Sequence, residues 1–553
     1  MTNMTRLEAL AELTASGAPY ELVHNTINDF PTRTFLHAPT SLRELFAENV
    51  SDLEFIVYQD ERYTYRDIYE QASRLAHQLT TVYGVSHGDR VAITMRNYPE
   101  WIVTFMATTS VGAIAVAMNA WWEADEIAQG LEDCGAKLIV ADEERLQRLA
   151  LIRDLGAEVI AVRPSTDEHL GTEYQSLLAN VPATTVMPTV EVKPEDSATI
   201  FYTSGSTGFP KGALASHRNI LSALLSWELD QKSALLKAGL EPAELAVQPA
   251  TLLAVPLFHA TGSHAVYLSS YRAQRKIVCM YKWDADQAAE LIEHEKIHSF
   301  VAPAAMTGDL VQAAQRTDRD LSTLMSVGGG GAPRAPEQVR DIDLAFKSAM
   351  PGTGWGMTET NAIGTGIGGQ DYLDRPESSG QVSAVLDAKV VDEQGNALPQ
   401  GERGELWIRG ASVISGYWRR PEANIETFTE GWLRTGDVAY FDADGFVFIK
   451  DLIIRGGENI GCGEVEAALL EHPLVLEASV YAIPDKRLGE EVASTLYCIE
   501  HIDEPELRGF LAERLARFKI PRYIHVVDQN LPRIASGKIF KRKLRDDAVA
   551  ALT

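Results

Sequence analysis

The chain has 553 residues, 45% of them hydrophobic and 23% charged, and its 77 acidic against 50 basic side chains give a formal charge of −27. That length exceeds what one hydrophobic core supports, so a large domain and a smaller one are expected. The acid excess excludes general nucleic-acid binding, and any phosphate-bearing ligand must be held by local groups.

Met1 to Gly17 carries Glu8 and Glu12 and has no apolar segment, so no secretory leader is expected. Cys134, Cys279, Cys462 and Cys498 are scattered without metal-ligand spacing, which suits reduced thiols in a cytoplasmic protein. Tyr63-Thr-Tyr65 leads into helical spacing from Asp67 to Leu79, and Gly88 to Met95 reads as a loop and a core strand. Trp101 to Trp122 is free of charge and long enough to span a bilayer. Its threonines, with Ser110, Gly112 and Asn119, instead predict a buried helix and then a buried strand near Gly112 to Met118, without a transmembrane segment. Alternating strand and helix patterns through Ala136–Ala141 and Ala157–Val162 predict α/β layers with parallel sheets.

Thr199-Ile-Phe-Tyr-Thr-Ser-Gly-Ser-Thr-Gly-Phe-Pro-Lys-Gly212 begins as a buried strand and breaks into a hydroxyl-rich loop. Gly205 and Gly208 allow close backbone approach, so that N–H groups can converge on an anion. Thr203, Ser204, Ser206 and Thr207 add hydroxyl donors, and Lys211 adds a point charge. The pattern suits a polyphosphate. It is not a Walker A loop, because Pro210 and Gly212 flank the lysine.

Leu252 to His259 reads as an apolar strand ending in Pro256-Leu-Phe-His259, where a histidine is often structural. Gly262, between Thr261 and Ser263, opens the next helix. Ser326-Val-Gly-Gly-Gly-Gly-Ala-Pro333 is bare enough for a flat ring to lie on its backbone, and equally suits a flexible turn. Gly354-Trp-Gly-Met-Thr-Glu-Thr360 contains a Thr-Glu dipeptide that means little alone. Gly431-Trp-Leu-Arg-Thr-Gly-Asp437 places a carboxylate after a tight turn, as a turn residue or as an acceptor for paired ribose hydroxyls. Beyond it, a helix over Glu464–Leu470, strands over Val475–Ile483 and Val492–Cys498, and a helix over Pro505–Arg517 make a compact α+β unit of about 100 residues. Near the end, Lys538 follows a Ser-Gly turn, close to Lys541, Arg542 and Lys543, which read as a solvated basic end.

Taken in order, these motifs resemble those of the adenylate-forming superfamily, over nearly the whole chain. The resemblance implies an α/β fold: a large N-terminal domain (1–449) of layered α/β subdomains with a small β-barrel-like part, and a small mobile α+β C-terminal domain (450–553). It further implies an AMP-forming acid–CoA ligase acting through an acyl-adenylate, with ATP, Mg²⁺ and coenzyme A. By the same resemblance Thr203, Ser204, Gly205, Ser206, Thr207, Gly208 and Lys211 hold the phosphates. Gly331, Ala332 and Pro333 approach adenine, with Trp355, Gly356 and Met357 beside it; Thr358 approaches phosphate. Glu359 and Thr203 serve the metal, Asp437 the ribose, and His259 the acid's carboxylate. Gly456 and Gly457 face the pantetheine, and Lys538 is the adenylation lysine. Gly404–Gly410 and Gly416-Tyr-Trp418 match a motif that serves packing. Small apolar neighbours of His259 and Gly354–Gly366 suggest a hydrophobic acid, whether fatty, aryl or otherwise bulky. The partners implied are the acid, ATP and CoA, and the resemblance allows a homodimer.

Three positions depart from that pattern. Trp355 stands where the family has Tyr, and should still stack on adenine. Gly461-Cys-Gly463 replaces an aromatic-Pro pair. Between Ile449 and Lys450-Asp451 the chain is about four residues short, which removes the hinge residue and a ribose arginine; Arg434 and Arg455 are the nearby substitutes. Two alternatives follow: an adenylation unit that loads a carrier protein, and a nucleotide-binding protein of low activity.

Overall fold

The computed structural model describes residues 4–552 except 28, 204–209, 241–246, 331–335, 393, 451–452, 457, 530 and 533–540. Apolar β-branched runs form its central strands. In an eight-stranded sheet the order is Gly416–Tyr417, Lys211–Ser216, Ser197–Thr203, Ile114–Ala117, Arg90–Thr94, Leu138–Asp142, Glu158–Val162 and Thr172–Glu173. It is parallel from Ser197–Thr203 onward, and the first two strands are antiparallel additions. The parallel strands are joined by helices, except that a loop links Glu158–Val162 to Thr172–Glu173.

A second sheet of fourteen described strands has a parallel run through Glu54–Tyr58, Lys276–Cys279, Ala250–Leu253, Ser299–Val301, Ser326–Gly328 and Met350–Thr353. At Thr365–Gly368 it turns antiparallel and continues through Gly380–Val382, Phe446–Lys450, Trp432–Phe441, Gly404–Arg409 and Asp387–Val391. One hydrophobic cluster joins the two sheets, from Val91, Ala115 and Val140 through Leu75, Trp101 and Phe105 to Ile56, Leu252 and Phe300.

The charge-free stretch is a wholly buried helix, Pro99–Ser110, a turn with Gly112 at φ +74°, and the buried strand Ile114–Ala117. No helix among the described residues is long and apolar enough to cross a membrane. Cys134, Cys279 and Cys498 are buried free thiols. The apolar strand expected to reach His259 stops at Leu253: Pro256 has no N–H for the ladder, and the Leu257 N–H is taken by Asn97 Oδ1 at 2.9 Å. His259 therefore lies in the loop before the π-helix Thr261–Leu268.

The smaller C-terminal unit has its own sheet, Glu458–Ile460, Ile453–Arg455, Gly489–Cys498 and Val475–Asp485, with Tyr523–Val527 parallel on Gly489–Cys498. Ile453, Ile460, Val465, Leu469, Val480, Val492 and Leu496 form a core there. The connection into it is short. Lys450 still pairs with Val438 in the large unit, and Ile453 already pairs with Ile460 in the small one.

Candidate active site

Thr203, His259 and Trp355 each lie at or just beyond the C-terminal end of a parallel strand, where α/β folds gather ligands. Thr203 and Lys211 face each other across an antiparallel pair, and the Thr203 hydroxyl donates to the Lys211 carbonyl at 3.3 Å. Their strands thus bring both ends of the hydroxyl-rich loop together. Ser204, Gly205, Ser206, Thr207 and Gly208 lie outside the described residues, as do Gly331, Ala332, Pro333, Gly457 and Lys538.

Glu359 sits in the short 3₁₀ turn Thr358–Thr360 and is buried. Its backbone carbonyl accepts from the Ile414 N–H at 2.9 Å, and its Oε1 accepts from the Tyr417 hydroxyl at 2.7 Å. The Lys211 ammonium lies 5.1 Å from the centre of the same Tyr417 ring. Burial pushes the Glu359 carboxyl above its ordinary range, while the Tyr417 hydrogen bond and the Lys211 charge oppose that shift. Tyr417 escaped the sequence reading, which assigned its motif to packing. Nothing in sequence spacing ties position 417 to 359; the pairing of Tyr417 with Ala213, two residues after Lys211, does so.

The turn carrying Glu359 is tightly built. Asn361 and Ala362 both take left-handed φ, at 57° and 65°, unusual for residues with a Cβ. Asn361 is held by its donation to Ser412 O at 2.8 Å and by His264, whose other ring nitrogen meets the Ser263 hydroxyl at 2.6 Å. Gly356 packs against this turn, and a Cβ there would come within 2.4 Å of the Ala362 carbonyl oxygen. Met357 fastens the turn by donating its N–H to Thr360 Oγ1 at 3.0 Å.

Trp355 does more than offer a ring face. Its indole nitrogen donates to Asp437 Oδ2 at 2.8 Å. Asp437 is buried in the strand Trp432–Phe441, after Gly436 at φ +76°, and its N–H donates to Thr435 Oγ1 at 3.0 Å. Arg455 pairs with the buried Glu491, and Arg434 lies 3.5 Å from Glu405 and stacks on Trp407, so both are engaged with groups of their own. Gly456 has φ +60° and donates to Leu488 O at 3.0 Å. His259 stacks obliquely on Phe258 at 4.8 Å, and burial pushes its imidazole down to about 4, which leaves it neutral near pH 7.

Among the described residues no cluster of three or more His, Cys, Asp or Glu suits a metal ion. The site offers instead one buried carboxylate near a hydroxyl and a lysine, beside aromatic and glycine-lined surfaces.

Comparison with known proteins identifies the family. The family model described as AMP-binding enzyme matches residues 44–418, and its C-terminal domain model matches 464–538. The chain is 33% identical over 510 residues to a 4-coumarate–CoA ligase-like protein of Oryza sativa subsp. japonica, covering 88% of each chain. It is 30% identical to the long-chain-fatty-acid–CoA ligase FadD13 of Mycobacterium tuberculosis, covering 89% of this chain and 94% of that one. A solved o-succinylbenzoate CoA synthetase from Bacillus subtilis, bound with a product analogue, superposes with a TM-score of 0.76 at 26% identity, over 92% of this chain and 98% of that one. The chain belongs to the AMP-binding enzymes, the adenylate-forming family that its motifs resemble.

Proposed function

We propose that this protein is an ATP-dependent acid–CoA ligase that makes an acyl-CoA through an acyl-adenylate, acting on a hydrophobic carboxylic acid. The observation that carries the reading is the convergence of Thr203, Lys211, Tyr417 and Glu359 beside the Trp355–Asp437 pair. Relatives named as ligases of fatty and aryl acids support the substrate class.

In the first step a carboxylate oxygen attacks the α-phosphorus of ATP, the bond to the bridging oxygen breaks, and pyrophosphate leaves. Lys211 and the loop before it bind the phosphates, and Asp437 accepts from the ribose hydroxyls. His259, being neutral, lines the acid site without competing for charge. Glu359 and the Thr203 hydroxyl would hold Mg²⁺, which prefers hard oxygen donors. When bound, the ion neutralises charge on the leaving pyrophosphate. In the second step the CoA sulfur attacks the acyl carbon, AMP leaves, and the thiol proton passes to solvent. No covalent enzyme nucleophile is needed, because positioning and charge stabilisation suffice. We assign nucleotide and acid binding to residues 1–449, and Lys538 to the unit 450–553.

Mass spectrometry of acyl-AMP and acyl-CoA, with ATP, Mg²⁺, CoA and a panel of acids, tests the reading. Acyl-CoA formed by the wild type and lost in Lys538→Ala is the expected result. Neither product across fatty and aryl acids would overturn it.

A further inference from the structure

Arg96 follows the strand Arg90–Thr94 by two residues, on the ligand side of the first sheet. Its neighbour Asn97 is buried and ties strand ends together. The Asn97 amide donates to Val255 O at 2.9 Å and to Met280 O at 3.4 Å, and its Oδ1 accepts the Leu257 N–H. These bonds join the first sheet to two strands of the second and fix the backbone that presents Arg96 at the seam.

The Arg96 guanidinium lies between two rings, 5.6 Å from the centre of Trp121 and 5.1 Å from that of Tyr281. Trp121 in turn meets Phe258 edge-on at 5.4 Å, lies 6.4 Å from the His259 ring, and keeps 38% of its surface exposed. Through the Trp121 ring the cation is therefore linked to His259. Nearby Arg145, Arg148 and Arg163 all meet carboxylates. Among the described residues Arg96 makes no ion pair, in a chain with 77 acidic side chains.

We propose that Arg96, held between Trp121 and Tyr281, binds a phosphate group of coenzyme A. The proposal rests on the acid–CoA ligase reading. Of the three substrates, ATP has Lys211 and its loop, and the acid loses its charge on adenylation. The phosphates of CoA need a cation outside the site that holds ATP. Ring faces hold a guanidinium in place while its in-plane N–H groups remain directed outward, the geometry that meets phosphate oxygens in pairs.

The test compares kcat/KM for CoA, dephospho-CoA and pantetheine in the wild type, Arg96→Ala, Arg96→Lys and Tyr281→Leu. Arg96→Ala should lower the preference for CoA over pantetheine by about tenfold or more, the worth of a charged hydrogen bond. Arg96→Lys and Tyr281→Leu should lower it less. Dephospho-CoA tells which phosphate is held: parity with pantetheine marks the 3′-phosphate, and parity with CoA marks the diphosphate. A general loss of folded enzyme cancels in the ratio, and if Arg96→Ala gives no product the other two variants decide. An unchanged ratio in a thioester-forming enzyme would overturn this proposal alone. Acyl-AMP without thioester in the wild type would remove the CoA reading and this proposal with it.

Discussion

The Tyr417 hydroxyl donates to Glu359 Oε1 at 2.7 Å while the face of the same ring receives the Lys211 ammonium at 5.1 Å. One side chain thus orients the carboxylate assigned to the metal and the cation assigned to phosphate. Tyr417→Phe keeps the ring and removes the donor. A hydrogen bond to a charged group is worth about 1.5–3 kcal/mol. The Mg²⁺ concentration for half-maximal pyrophosphate release should therefore rise about tenfold or more, with no further rise when the change is made in Glu359→Gln. An unchanged Mg²⁺ requirement in Tyr417→Phe would rule out this positioning role.

Trp355 and Asp437 form a second such pair. Trp355→Phe leaves a ring for the base but no donor for the carboxylate. Calorimetry should find ATP bound about fivefold to tenfold more weakly, and the effect should vanish in an Asp437→Ala background, which removes the acceptor, because paired residues are not additive. A loss of equal size in both backgrounds would mean that Trp355 acts through base stacking alone.

Stability should fall on the acid side through His217. This side chain is buried, its Nδ1 accepts the Leu42 N–H at 3.1 Å, its Nε2 has no partner among the described residues, and burial lowers it from 6.5 to about 4. The unfolded chain takes up the proton first as pH drops through 6.5, so stability present above that pH is lost between about 6.5 and about 4. The share of this one group is at most about 3 kcal/mol. Denaturant midpoints of wild type and His217→Asn, measured from pH 7 to 4, should converge in slope difference on that window; parallel curves would refute the assignment.

Gly356→Ala should destabilise the protein by about 1–3 kcal/mol, since its Cβ would strike the Ala362 carbonyl and both neighbours are fixed in the Glu359 turn. Chemical denaturation gives the number. A midpoint equal to that of the wild type would show that the turn relaxes freely.

The α/β layering was legible because long apolar runs alternate with amphipathic ones, and the charge-free stretch Trp101–Trp122 resolved as a helix and strand on account of its threonines and Gly112. The small unit was legible in the same way, although its helix Glu504–Ala512 ends short of the expected Arg517. What sequence did not reveal are contacts made by register between distant strands. Tyr417 reaches Glu359 because Gly416–Tyr417 adds to the edge beside Lys211–Ser216, and Asn97 reaches Val255 because two sheets meet there. Trp355 was read for its ring, and its N–H mattered as well, since an indole is a donor that must find an acceptor once buried.

The short connection between the two units sets a mechanical cost on any large rearrangement. The three steps from Lys450 to Ile453 span at most about 11 Å when extended. A swing of the small unit beyond that reach would have to peel Lys450 away from Val438 or Ile453 away from Ile460. The joint is then a zipper rather than a swivel: its travel is metered in backbone hydrogen bonds, each worth about 1 kcal/mol, and its speed depends on how readily a strand end frays. Lengthening the chain there by four residues should release that brake, so that thioester formation accelerates while adenylate formation keeps its pace.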